Sequence, residues 1–553
     1  MPLKPHYSVV AVGAGPTGLV LANILGLERV DTLLLERNER TVSEPRAVSI
    51  DDESLRTIQS VGLVDIVLGD IVQDYGSHYF SPSGRPFARV QPAVQEYGFP
   101  RRSAFRQPVL EAQLREGLRH YPHVEARFSH RLEQFAQDAD GVTLQVLGPD
   151  GTPQTTRCDF LVACDGARSG VRERLGITME GSTFSERWLI VDLLATPDRF
   201  RHTRVYCDPR RPAISLPGPK GTRRYEFMLH AGERDEDLLG EEIIRKMIGE
   251  RSTGDRDLQI ARKVVYAFHA RIARRWQDNR IFLAGDAAHL SPPFAGQGMN
   301  SGVRDALNLG WKLASVVRGE LGPGLLDSYQ QERKPHAWAL IEMAMRIGRF
   351  MMPTGAVQAF LMQNLMRLLS IFPPARDYVM QMKFKPRPRY GAGFVVPDGA
   401  SEADSLSGRL FLQPQVESPG GRRMPLDDAL GRGFRLLVFG PLPGDPLPEV
   451  QVPPALGAER FFIVPQDYNF PYPPPAGSER TMLRDCAGVI ETVLRPFAPC
   501  AVLLRPDRYV AAVIPLSHPE PACRSLAGLV DATRRPGKQV DRSFPGANLP
   551  QSV

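Results

Sequence analysis

Residues 8–37 read SVVAVGAGPTGLVLANILGLERVDTLLLER. An apolar run over 9–12 predicts a strand, 13–18 spell Gly-Ala-Gly-Pro-Thr-Gly, a helix follows through residue 25, and a second apolar run over 32–35 closes on Glu36. Strand, glycine-rich turn, helix, strand and terminal acid, in that order, form a dinucleotide-binding βαβ unit. Gly13 permits the tight turn, Gly15 admits the backbone to a pyrophosphate, and Gly18 lets helix and strand pack closely. The helix start, with Pro16 and Thr17, aims N–H donors and positive dipole at the phosphates. Glu36 is placed to accept hydrogen bonds from an adenosine ribose. The bland alternative is a glycine-rich turn without a ligand. A membrane span is the other rival, because 9–27 carries no charge. Its glycines, its proline and its direct continuation into a second strand speak against that.

The whole chain is long enough, at 553 residues, for two or three domains. With 42% hydrophobic and 24% charged residues it has the composition of an ordinary globular protein. The net charge of +6, from 68 basic against 62 acidic residues, is small for this length. It suits anionic small molecules and not nucleic acid, which calls for a concentrated basic stripe. None of the 6 cysteines stands in a CxxC or metal-like spacing. With no secretion signal at the start, a reducing cytoplasm is the expected compartment, and no metal or membrane partner is expected.

Two later segments repeat the logic of a strand running into an acid. TTRCDFLVACD ends on Asp165 and Gly166, then a helix start. RIFLAGDAAH ends on Gly285 and Asp286, followed by Pro293, Gly296, Gly298, Met299 and Asn300 at the start of a long helix. The carboxyl ends of strands are where open α/β sheets bind ligands. Arg37 and Arg46 follow the ribose acid, and Gln107 precedes a helix opened by Pro108. Between 185 and 275 the pattern changes to aromatic-rich strands, which predicts a largely antiparallel second lobe. Trp188, Tyr206, Tyr225, Phe227, Tyr266 and Phe268 are its candidates for lining an aromatic-sized pocket, although an ordinary sheet core is the commoner fate of each. The Met-rich helical stretch over 343–369 is read as core or helix contact, with a subunit interface, and so a homodimer, as the less common outcome. Proline and glycine density marks 376–421 as a linker, and 422–553 as a compact β/α module whose tail after Arg534 frays.

Taken together, GAGPTG with Glu36, DGARSGVR and GDAAHLSPPFAGQGMNSG resemble the single-component FAD-dependent aromatic hydroxylases, the class A monooxygenases. The likeness covers most of 5–345. Within the family, IDDESLRTIQSVGLVD, FPRRSAFRQP, YQQERKPHA and LLRPDRYVAA are closest to the branch acting on 3-(3-hydroxyphenyl)propionate and 3-hydroxycinnamate. The C-terminal module is similar to the thioredoxin-like domain of phenol hydroxylases, here without a CxxC pair. The resemblance implies an α/β fold. A Rossmann-like FAD domain (1–184 and 276–375) carries an inserted antiparallel substrate sheet (185–275), and the thioredoxin-like domain follows. It also implies FAD held by Gly13, Gly15, Pro16, Thr17, Gly18, Glu36, Arg37, Arg46, Gln107, Asp165, Gly285 and Asp286, with Pro293 and the Gly296, Gly298, Met299, Asn300 loop beside the flavin. The family pattern is less proline-rich than Ser291-Pro292-Pro293-Phe294.

No side chain activates dioxygen, so ring hydroxylation requires the redox cofactor, and the protein supplies orientation and electrostatics. The expected reaction consumes NADH or NADPH and O2 and places a hydroxyl ortho to that of a phenolic carboxylic acid. With no second GxGxxG, nicotinamide is a transient co-substrate. The phenol needs a base or proton relay, and the candidates are His289, Tyr266 and Pro293. His289, beside a Pro-Pro loop at a helix edge, is more often structural. A sibling hydroxylase of resorcinols, chlorophenols or polyketides, and a non-catalytic flavin-binding scaffold, are the alternatives; a halogenase lacks its WxWxIP stretch here.

Overall fold

The computed structural model describes residues 2–44, 46–230, 232–353, 355–442, 445, 448–470 and 481–534; the tail expected to fray lies outside them. Its first sheet has a parallel core in the order Ile281–Leu283, Pro153–Ala163, His6–Val12, Thr32–Leu35, Val124–Arg127. Thr32–Leu35 is buried throughout, as a strand covered on both faces must be. The helix Pro16–Leu27 lies on this sheet and is itself covered by Gly298–Val317, so it is buried nearly all round. A Cβ added at Gly310 would stand 2.8 Å from Ile24 Cγ2, which shows how closely the two helices approach.

The parallel register decides the site. Val12 pairs with Ala163 on one side and Leu35 on the other, and Ala163 pairs with Leu283. Four strands therefore end side by side, and the segments read separately in the sequence all leave from one edge.

The second sheet runs His289–Leu290, Ile260–Ala273, Met179–Leu193, Arg223–Met228, Ala213–Pro217, Thr203–Tyr206, Ser77–Phe80, Pro86–Val90. It begins at Met179 rather than 185, and it recruits the 77–90 hairpin, which the sequence had placed in the cofactor domain. Thr203–Tyr206 pairs in parallel with Ser77–Phe80, a contact between segments over a hundred residues apart that no local pattern announces.

The C-terminal unit is thioredoxin-like. Glu459–Val464, Arg435–Phe439, Cys500–Leu504 and Val510–Pro515 lie in that order, parallel across the first pair and antiparallel across the next two, and Glu520–Thr533 closes the unit. Gln415–Glu417 and Arg423–Pro425 extend the sheet, so the unit begins inside the expected linker. Strand alternation sends Leu437 and Phe439 into the unit's own core and Leu436 and Val438 toward Trp311, Leu321 and Leu325 of the first domain. Inside that contact Arg505 donates to Glu332 at 2.8 Å through both Nη atoms, Lys312 donates to Glu332 at 2.6 Å, and Trp311 Nε1 donates to Asp507 at 3.0 Å.

Candidate active site

A single cavity of about 830 Å³ runs from the shared strand edge to the second sheet. At one end it meets Gly13, Gly15, Pro16, Thr17, Glu36 and Arg37, farther on Arg46, Gln107, Asp165 and Asp286, and then Pro293, Gly296, Gly298 and Met299. Segments distant in sequence therefore border one cavity.

The local geometry explains each glycine. Gly13 holds φ +104°, and a Cβ there would lie 2.3 Å from Cys164 O on the neighbouring strand. A Cβ on Gly18 would lie 1.9 Å from Gly13 O, so helix and turn meet only without one. Gly15 has nothing within 4 Å of its added Cβ and opens onto the cavity at the helix N-terminus. Gly18, Gly285 and Asn300 do not line the cavity; they shape it. Asn300 accepts from Asp51 N and Ser54 Oγ and donates to Ser49 O (3.1 Å) and Gly296 O (2.6 Å), fixing the loop that does line it. Gly285 packs against Thr17.

The polar groups fit a dinucleotide. Glu36 accepts from Ala14 N at 2.8 Å and Asn38 N at 2.9 Å, which orients its carboxylate at the end of its strand. Gln107 accepts from Ala47 N at 2.7 Å and donates to Glu111 at 2.8 Å. Among the described residues Asp165 Oδ1 is buried with no partner, an acceptor on the cavity wall that a bound polar ligand would satisfy. Burial raises the carboxyls of Asp165 and Asp286 above the usual range, and pushes Glu111, which the sequence reading did not single out, up to about 7. These residues fit FAD: open backbone for the pyrophosphate, an acid for the ribose, and acceptors along the chain between.

The catalytic candidates fall differently. His289 is buried and bonded to Asp305, edged by Trp276, and is not on the cavity wall. Tyr266 accepts from Arg262 at 2.5 Å, also off the wall. Pro293 alone lines it, and has no proton to move.

None of the six aromatic candidates lines the cavity either, and for three of them strand alternation is the reason. Tyr225 and Phe227 alternate with Arg224 and Glu226, and it is the charged pair that faces the cavity; Tyr225, Phe227 and Tyr206 pack in the core on the sheet's far side. Trp188, Tyr266 and Phe268 are on the near side but behind Phe294, whose ring centroid is 5.7 Å from that of Trp188 and 5.6 Å from that of Phe268. Tyr79, Met351 and Phe294 supply the apolar wall instead. The sequence reading missed Arg102, Arg224 and Glu226. For Arg224 and Glu226 the signal available was the strand RRYEFM, in which those two charges stand two apart around a core aromatic.

The sequence matches the FAD binding domain family over residues 6–344 and the HcaD C-terminal domain family over 408–529. The chain is 40% identical over 505 residues to a protein of Mycolicibacterium smegmatis named 3-(3-hydroxy-phenyl)propionate/3-hydroxycinnamic acid hydroxylase, covering 91% of this chain and 90% of that one. It is 39% identical over 521 residues to a Klebsiella pneumoniae protein of the same name, covering 93% of each. Among solved structures, the ternary complex of aklavinone-11 hydroxylase with FAD and aklavinone aligns with TM-score 0.77 at 26% identity, over 96% of this chain and 99% of that one.

Proposed function

The chain belongs to the FAD-binding family of flavoprotein aromatic hydroxylases, and from that premise we propose that it hydroxylates 3-(3-hydroxyphenyl)propionate and 3-hydroxycinnamate ortho to the phenol, giving 2,3-dihydroxy products. The observation that carries this reading is the cavity itself. One end is built for a dinucleotide, and the other, continuous with it, pairs an apolar wall with two arginines, Arg102 and Arg224, and one buried glutamate, Glu226. A ring with a short acidic side chain suits that end.

Bound FAD supplies the redox chemistry, by which NADH or NADPH and O2 yield one hydroxyl on the ring and one water. The protein's own residues do the rest. Gly13, Gly15 and the start of helix Pro16–Leu27 would seat the pyrophosphate of FAD, and Glu36 would take its ribose. Asp165 and Asp286 would hold the chain that follows, and the Pro293 to Met299 loop would hold the flavin. Phe294, Tyr79 and Met351 keep water from the reacting ring, which protects the oxygen-transfer step from side reactions. The enzyme works in the cytoplasm, where reduced nicotinamide is at hand. A second copy packs on the outer face of helix Ala356–Leu369, where Val357, Phe360, Leu361, Leu365 and Leu368 stand exposed; sedimentation tests that dimer.

The decisive experiment is a product assay on the yellow holoprotein with 3-(3-hydroxyphenyl)propionate and each nicotinamide. A 2,3-dihydroxy product formed in step with nicotinamide oxidation is expected. Oxidation that yields only hydrogen peroxide overturns the substrate reading.

A further inference from the structure

The sheet face closing the far end of the cavity is a grid, because residues two apart share a face and register aligns them across strands. One row holds Tyr79, Val205, Ile214 and Glu226. Three of the four are apolar or aromatic, and the fourth is a carboxylate only 5% exposed. Among the described residues Glu226 accepts no hydrogen bond. The nearest cation, Arg224 Nη1, is 4.0 Å from its Oε1, and that guanidinium is already engaged by Asp192 at 2.7 and 3.0 Å and by Arg46 O at 2.9 Å. An ionised carboxylate enclosed without donors is costly. Burial pushes this one up to about 7, against the pull of Arg224 and with Asp192 adding to the rise.

At the other side of the grid Arg102 presents the converse. It lines the cavity, donates to Ser77 Oγ at 2.5 Å and Tyr75 OH at 3.3 Å, and lies 4.7 Å over the Tyr75 ring. Among the described residues it has no carboxylate partner. Ser77–Phe80 and Arg223–Met228 are separated by two intervening strands, so about 14 Å of sheet divides them. An arginine and a glutamate reaching inward leave room for an aromatic ring bearing a short chain.

We propose that these two groups hold the substrate by its ends: Arg102 pairs with the carboxylate of the phenolic acid, and Glu226 accepts the proton of its phenol oxygen. This rests on the substrate reading above. The phenol O–H bond breaks, its electron pair stays on oxygen and enriches the ortho carbon, and the proton rests on Glu226. It returns to the same oxygen when the hydroxylated ring regains aromaticity and the attacked carbon gives its own proton to solvent. O2 and NAD(P)H, already required by the reaction, supply the oxidant and the electrons.

The test compares 3-(3-hydroxyphenyl)propionate with 3-propylphenol, which lacks the carboxylate, on FAD-loaded wild type, R102Q and E226Q. R102Q is expected to raise KM for the acid at least about 30-fold, while KM for 3-propylphenol stays within about twofold. E226Q is expected to lower kcat for both substrates about 100-fold near neutral pH. Wild type loses kcat as pH falls through about 7, where Glu226 gains its proton with Arg224 and Asp192 as the charges facing it. E226Q lacks that limb and recovers as pH climbs toward the phenol's own pKa of about 10. E226D, which keeps a carboxylate, restores the limb, and E226S, which lacks one, serves in place of E226Q should that variant not retain FAD. Equal KM changes for the two substrates in R102Q, or an E226Q profile parallel to wild type, overturn the assignment while the substrate reading stands. A wild type that makes no diol from the acid overturns both.

Discussion

His289 Nε2 lies 2.6 Å from Asp305 Oδ2, and the other oxygen of that carboxylate takes Arg333 Nε at 2.9 Å, all three side chains sealed beneath the cavity floor. The same Asp305 accepts from Gly285 N at 3.0 Å, so it anchors the Gly285-Asp286 turn from below. Burial alone would raise its carboxyl, but His289 and Arg333 hold it below the usual range. Removing one member of such a buried set leaves charges without partners. Asp305→Asn is expected to destabilise the protein by about 3–5 kcal/mol in urea unfolding. His289→Gln, which keeps a donor toward Asp305, is expected to leave the pH profile of kcat unmoved. A lost acidic limb in that variant would restore His289 as a base.

Gly15 and Gly18 answer different demands and separate by experiment. A Cβ at Gly18 collides with backbone at 1.9 Å, so Gly18→Ala is expected to unfold or rearrange the turn and lower Tm with or without FAD. At Gly15 the added atom meets only open space, so Gly15→Val leaves the Tm of FAD-free protein unchanged and abolishes FAD uptake, read from the flavin absorbance after reconstitution.

The contact between the first domain and the thioredoxin-like unit depends on Glu332. Burial would raise its carboxyl, yet Arg505 and Lys312 bring it down to about 2. A folded-state value below the unfolded one contributes stability above about pH 4.3 that fades as pH falls toward 2. Arg505→Met is expected to cost about 3–5 kcal/mol, and Glu332→Gln to flatten the acid limb of stability over that window, measured by thermal melts from pH 5 to pH 3.

Thiol chemistry offers a further check. Cys158, Cys164, Cys207, Cys500 and Cys523 are buried, Cys486 is half-buried, and none is disulfide-bonded. Burial raises all six thiols, which disfavours the reactive thiolate. Alkylation of native protein at pH 7.5 is expected to reach Cys486 first, at no cost in activity, as mass spectrometry of the labelled peptides would show. Fast labelling of Cys164, against the turn that follows the first strand, would contradict the packing described.

Much of the cofactor end was legible because its signals are local. GAGPTG, the acid at the next strand end, and two further strands running into Asp165 and Asp286 each declare themselves within a few residues, and parallel strands put such ends on one edge. The substrate end was not legible. The aromatic residues looked like a pocket lining, but pleating turned Tyr225 and Phe227 to one face and Arg224 and Glu226 to the other, and sequence alone does not say which face meets the cavity.

The sequence by itself determined the βαβ unit and the backbone geometry of its glycine-rich turn, since glycine spacing and hydrophobic period act over short stretches of chain. Only the tertiary structure decided that the 77–90 hairpin joins the second sheet, that His289 faces Asp305 and not a ligand, and that Arg102 and Glu226 look into one cavity. Those outcomes depend on register between strands distant in sequence and on which side of each strand is covered, and free energy at that level is shared among many contacts instead of being written in any one segment.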